Sequence, residues 1–177
     1  MDIIKRHYLE KMASYLKPNK VLVIYGPRQV GKTTLVNQFL DRLPRSTKIY
    51  KSAGENLELK TVLESSEFSK IIPFFQDYDL IVIDEAQKVS NIGQGLKIIV
   101  DQIPGKKIIA TGSSSFHLSA KIGEPLVGRQ NILTLFPIAV MELQKMYGNA
   151  YVFENLENNT IKPFSSLKNL WFVPIRP

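Results

Sequence analysis

Val21-Leu22-Val23-Ile24-Tyr25-Gly26-Pro27-Arg28-Gln29-Val30-Gly31-Lys32-Thr33 joins an apolar, β-branched run to a glycine-spaced loop. The run from Val21 to Tyr25 has the character of a strand buried on both faces, as in a parallel sheet. Beyond the loop, Leu35, Val36, Phe39, Leu40 and Leu43 recur at helical spacing until Pro44 ends the element. Gly26 to Thr33 fits G-x-x-x-x-G-K-[ST] without a mismatch. Glycines allow positive φ and a close approach of the backbone to an anion. Successive N–H groups and the N-terminus of the following helix then form a phosphate cradle. In such a cradle Lys32 reaches the β- and γ-phosphates, and the Thr33 hydroxyl takes a place on Mg²⁺. A glycine-rich turn with a surface lysine is the bland alternative. The flanking strand and helix argue against it.

Outward from this loop, the alternation of strand and helix continues. A helix is expected from Asp2 to Leu16, stopped by Pro18 and Asn19, and a weak strand from Thr47 to Lys51. Helices are expected at Leu57–Leu63 and Phe68–Phe75, the second interrupted by Pro73. Leu80–Ile83 reads as a strong buried strand, Ile92–Ile103 as a helix, and Lys107–Thr111 as another buried strand. Ile132–Phe136 closes the series, followed by a helix from Ile138 to about Met146. Five strands alternating with helices predict an α/β fold with a mainly parallel sheet. From Gly148 onward asparagines and prolines break the pattern, so residues 1–147 form the expected domain. Residues 148–177 read as a short tail, too small for a core of its own.

Acidic and hydroxyl residues fall where such a sheet binds ligands, at the carboxyl ends of its strands. Asp84 and Glu85 follow the third strand. Asp84 suits the Mg²⁺ shell, and Glu85 suits activation of the water that attacks the γ-phosphate. Without the upstream loop, the pair would read as a strand running into a solvated helix start. Thr111-Gly112-Ser113-Ser114-Ser115 ends the fourth strand. Thr111 or Ser113 is expected to sense the γ-phosphate, with helix N-capping as the alternative use. Gln87 is a weaker candidate for positioning water. Arg129 reads either as an arginine finger, acting in cis or on a neighbouring subunit, or as a surface arginine paired with a carboxylate.

Composition bounds the rest. Hydrophobic residues make up 44% and charged residues 22% of the 177, ordinary values for a globular chain. No apolar run approaches the roughly 20 residues that cross a bilayer, and no membrane partner is expected. There are no cysteines and only 2 histidines, far apart, which excludes thiolate chemistry and makes a histidine metal site improbable. A cytosolic setting is the natural reading. The 23 Lys and Arg against 16 Asp and Glu give a formal charge of +7. The basic residues are scattered, so a solvated surface explains them better than a nucleic-acid partner.

Residues 23–34, Ile83-Asp84-Glu85-Ala86-Gln87-Lys88, Ile108 to Ser115 and Gly123 to Arg129 together resemble the prokaryotic predicted ATPases of the AAA+ superfamily. Leu135-Phe136-Pro137-Ile138 with Glu142-Leu143 is similar to that family's segment after its last core strand. The resemblance covers roughly residues 5–147. It implies a three-layer P-loop core with a five-stranded sheet of the additional-strand type and Mg-ATP as ligand. It also implies hydrolysis directed by Glu85, a sensor in Thr111–Ser115 and a finger at Arg129. The expected nucleotide contacts are Gly26, Pro27, Arg28, Gln29, Val30, Gly31, Lys32, Thr33 and Thr34, with Thr33 and Asp84 on the metal. ATP and ADP are the expected partners, with a homo-oligomer or another protein as a further one. An ATP-binding switch with little turnover, or a nucleic-acid-associated ATPase, is the alternative function. Transfer of phosphate to a small molecule is disfavoured, because Glu85 beside Asp84 supplies a base for water. Members of this group usually continue well past the length seen here, so the tail is expected to be the remnant of a larger second domain.

Overall fold

A computed structural model describes Arg6, residues 8–113 and residues 125–138, all within one compact unit, Arg6–Ile138. The expected helix after Ile138, the domain boundary at 147, the tail, Ser114 and Ser115 lie outside the described residues. The described chain runs α1 (Tyr8–Tyr15), β1 (Lys20–Tyr25), α2 (Lys32–Leu40), β2 (Ile49–Ala53), α3 (Leu57–Glu64) and α4 (Phe68–Phe75). It continues through β3 (Leu80–Asp84), α5 (Ile92–Gln102), β4 (Lys107–Gly112) and β5 (Gln130–Thr134). A short 3-10 turn, Ala86–Lys88, follows β3.

The five strands form one sheet in the order β2-β3-β4-β1-β5, and every pairing is parallel. β4 stands between β1 and β3, which makes it the additional strand of this class of P-loop fold. Parallel pairing requires crossovers, and helices supply them on both faces. Side chains alternate along each strand. Val21, Val23, Ile81, Ile83, Ile108 and Ala110 therefore pack in one cluster with residues of α3, α4 and α5. Leu22, Ile24, Val82 and Ile109 pack in the other with Leu9 and Met12 of α1 and Leu35, Val36 and Phe39 of α2. The result is a three-layer sandwich with two cores.

Two strand boundaries and one expected helix break differ from expectation. β2 lies two residues further along, because the Lys48 N–H donates to the Asp79 carboxylate at 2.8 Å and the regular ladder begins at Ile49. β5 starts at Gln130, whose polar side chain an edge strand tolerates, rather than at Ile132. Asn131, next to it, donates to the Tyr15 carbonyl at 2.7 Å. Pro73 does not interrupt α4. The helix carries it inside, giving up one ladder bond, and still buries Ile71 and Phe75 completely. α3 begins at a conventional cap, with the Asn56 side chain accepting from the Leu59 N–H at 2.9 Å.

Candidate functional site

Strand parity decides which side chains can meet. In β3, Asp84 has the parity of Leu80 and Val82, and in β4 Thr111 has the parity of Ile109. Both therefore emerge on the sheet face that packs α2, at the carboxyl ends of adjacent strands. The phosphate loop leaves β1 at the same edge and feeds directly into α2. Its αL residues Gln29 (φ 62°) and Gly31 (φ 91°) turn the backbone before the helix begins at Lys32.

The contacts that result link all three segments. Thr33 Oγ1 donates to Asp84 Oδ2 at 2.7 Å. Thr111 Oγ1 donates to the other carboxylate oxygen, Oδ1. The Glu85 N–H donates to Thr111 Oγ1 at 3.1 Å, so the threonine hydroxyl relays between the two acids' segments. Thr111 is completely buried, and Lys32 is 5% exposed. Lys32 Nζ turns back onto the loop, donating to the carbonyls of Gly26 at 3.0 Å and Pro27 at 2.8 Å. Burial lowers its pKa from the ordinary lysine value, and the nearby charges of Glu85 and Asp84 partly offset that effect.

Glu85 lies at φ 51°, outside the strand conformation, and its carboxylate accepts from Gln87 Nε2. The same amide nitrogen lies 3.2 Å from Ser113 Oγ. Gln87, the weaker candidate from sequence, thus joins Glu85 to Ser113 across the ends of β3 and β4. Gly54 was missed by sequence reasoning. Its N–H donates to the Asp84 carbonyl at 2.6 Å, and any Cβ there would collide with the Glu85 carbonyl. Arg6 was missed too: it is buried and donates to the carbonyl of Val30 within the loop. A lone arginine in an amphipathic stretch carries no sequence signal for this.

Arg129 is the residue the fold separates from the rest. The Val21 N–H donates to its carbonyl, so it stands beside Lys20 at the amino end of β1. The loop leaves the other end of that 6-residue strand, on the order of 15–20 Å away. Its Nε pairs with Asp101 Oδ1 at 2.6 Å. The carboxylate-paired surface arginine is therefore the reading that fits within one chain, and a finger acting in cis is not.

A sequence profile of the AAA domain family matches residues 18–144, which include the loop, both acids and Thr111. The chain belongs to the AAA domain family. An uncharacterised protein of Methanocaldococcus jannaschii is 32% identical over 131 residues, 73% of this chain and 29% of that relative. An uncharacterised protein of Haemophilus influenzae is 27% identical over 151 residues, 79% of this chain and 37% of its own length. This AAA chain thus spans roughly a third of the curated relatives it matches. Among solved structures, a Walker-type ATPase of Pyrococcus abyssi superposes with a TM-score of 0.58 at 18% identity, over 92% of this chain and 61% of that one. At that identity the likeness is one of fold.

Among the described residues no group of three or more His, Cys, Asp or Glu could enclose a metal. One threonine hydroxyl and one carboxylate oxygen 2.7 Å apart form a different kind of site. It suits Mg²⁺, a hard cation that keeps several waters and takes one or two protein oxygens alongside substrate phosphates. No helix among the described residues is long and apolar enough to cross a membrane.

Proposed function

We propose that this AAA domain binds Mg-ATP and hydrolyses it, using the cycle to switch its own conformation or that of a partner. The observation that carries the reading is the hydroxyl–carboxylate–hydroxyl chain Thr33–Asp84–Thr111 beside the buried Lys32. Charged and polar groups converge there at a cost in desolvation that a folded core alone does not require.

The roles follow from chemistry. Backbone N–H groups from Gly26 to Thr34, including those of Arg28, Gln29, Val30 and Gly31, line the phosphate cradle; Pro27 contributes none. Lys32 exchanges its loop carbonyls for phosphate oxygens, which are better acceptors because they are charged. Thr33 and Asp84 hold Mg²⁺, which supplies neutralisation of charge developing on the β- and γ-oxygens. Glu85 takes a proton from the attacking water. Gln87 orients the Glu85 carboxylate, and Thr111 and Ser113 report on the γ-phosphate through their hydrogen bonds to the segments bearing the two acids.

The test is phosphate release with and without Mg²⁺, on the wild type and on Glu85→Gln. Expected are Mg-dependent release in the wild type and its loss in the variant, with ATP binding retained. Full turnover in Glu85→Gln would refute the role given to that residue. A second reading, an ATP-binding switch with little turnover, is favoured by the Gln87 amide already occupying the Glu85 carboxylate. Turnover measured over a range of protein concentrations separates the two. A flat, near-zero rate favours the switch, and a steep rise favours assembly-dependent hydrolysis.

A further inference from the structure

Arg6 is one of four polar or charged side chains that are buried among the described residues, at 6% exposed, and the roles above give it no task. An arginine in a protein does not lose its proton. Burying one is costly unless its donors are satisfied. Two of them go to backbone carbonyls of segments far apart in sequence: Nη1 to Val30 at 2.7 Å and Nη2 to Phe136 at 2.5 Å. Val30 lies within the phosphate loop, flanked by Gln29 and Gly31 with positive φ. Phe136 lies just past β5, where the Leu135 N–H still donates to the Tyr25 carbonyl.

The Val30–Gly31 peptide is trans, as are all peptides described. In a trans peptide the C=O and the following N–H point in opposite directions. That plane turns about ψ of Val30 and φ of Gly31; the glycine, at φ 91°, makes the rotation cheap, and a donor on the Val30 carbonyl removes the freedom. We propose that Arg6 is a positioning residue of the nucleotide site. By holding the Val30 carbonyl outward it turns the Gly31 N–H toward the phosphates, and by holding Phe136 it braces the loop against the end of β5. This rests on the ATP-binding reading above. The planar fork matters as much as the charge, because it serves two carbonyls at once, which a lysine ammonium on a flexible stem does poorly.

The experiment is titration of Mg-ADP into wild type, Arg6→Lys and Arg6→Ala, below the melting temperature of each, with the nucleotide-free melting temperatures measured alongside. Arg6→Ala is expected to weaken ADP binding by roughly 10- to 100-fold, and Arg6→Lys is expected to recover part of the loss. Wild-type affinity in folded Arg6→Ala overturns the proposal and leaves the ATP reading intact. Equal weakening in both variants, tracking a fall in melting temperature, also overturns it, since a merely structural role predicts that. If Arg6→Ala does not fold, Arg6→Lys decides: weaker binding at an unchanged melting temperature supports positioning, and wild-type affinity sinks it. Failure of the wild type to bind ADP refutes the ATP reading, and this proposal with it.

Discussion

The two edges of the sheet both carry charged residues and put them to opposite uses. At the carboxyl edge, Lys32, Thr33, Asp84, Glu85 and Thr111 converge from three segments and hydrogen-bond one another or the loop. Lys32 and Thr111 are buried there. At the amino edge, Lys20, Lys107, Lys48 and Arg129 stand at or beside the starts of four strands, with Lys20 directly opposite Lys107. Like charges on adjacent strands repel, and solvent exposure makes that tolerable. Lys107 and Lys48 are exposed, and Arg129 is drawn off onto Asp101. Burial of a cation alone does not separate a site from a surface, since Lys106 is also buried at the amino edge and donates to the carbonyls of Gln76 and Tyr78; convergence of acid, hydroxyl and lysine side chains does.

Breaking the carboxyl edge should have the largest effect. Lys32→Ala removes the only side-chain ammonium donating to the loop carbonyls among the described contacts and is expected to weaken ATP binding by roughly 100-fold or more. A nucleotide titration checks it. An unchanged affinity would mean that the edge is merely a satisfied polar cluster.

Gly54→Ala tests the same edge through the backbone. The new Cβ has no room against the Glu85 carbonyl, so the peptide that sets the direction of Glu85 must move. Turnover is expected to fall by about 10- to 100-fold while ADP affinity holds. A parallel loss of affinity would show that the displacement spreads to the loop, and the two halves of the edge would then be one unit.

The contrast also explains what the sequence made legible. The loop, the alternation of strands and helices and the positions of the two acids were readable because their signals are local: a fixed glycine spacing, β-branched runs, and carboxylates just past an apolar strand. Arg129 stayed open between two readings because an arginine beside a predicted strand has no stated end. Only the parallel direction of β5 and its pairing with β1 put it on the amino edge. Gly54 and Arg6 were invisible for a related reason. Each acts by a close approach between segments about 25 to 30 residues or more apart, and nothing in the adjacent sequence records such a meeting. Pro73 shows the same limit from the other side, since burial of Ile71 and Phe75 overrides a local helix-breaking signal.

A smaller effect concerns protons. Burial lowers the Lys32 pKa in the nucleotide-free fold, so below the ordinary lysine value of about 10.4 the unfolded chain binds more protons than the native one. Stability from this group therefore rises with pH between the lowered native value and about 10.4. Wild type should gain stability relative to Lys32→Met as pH increases through that window, measured by denaturant unfolding without nucleotide. A difference independent of pH would mean that the native lysine is as well solvated as an unfolded one.

The amino edge should answer most weakly. Arg129 and Asp101 are 40% and 30% exposed, and pairs of that kind contribute about 0.2–1 kcal/mol. A double-mutant cycle on Arg129→Ala and Asp101→Ala is expected to give a coupling in that range, fading with added salt as exposed charges are screened. Turnover per chain should be the same in Arg129→Ala as in the wild type at every protein concentration. A loss that grows with concentration would mean the arginine reaches a neighbouring copy's nucleotide. The amino edge of one chain would then complete the carboxyl edge of another, and the division drawn between them would hold only within a single chain.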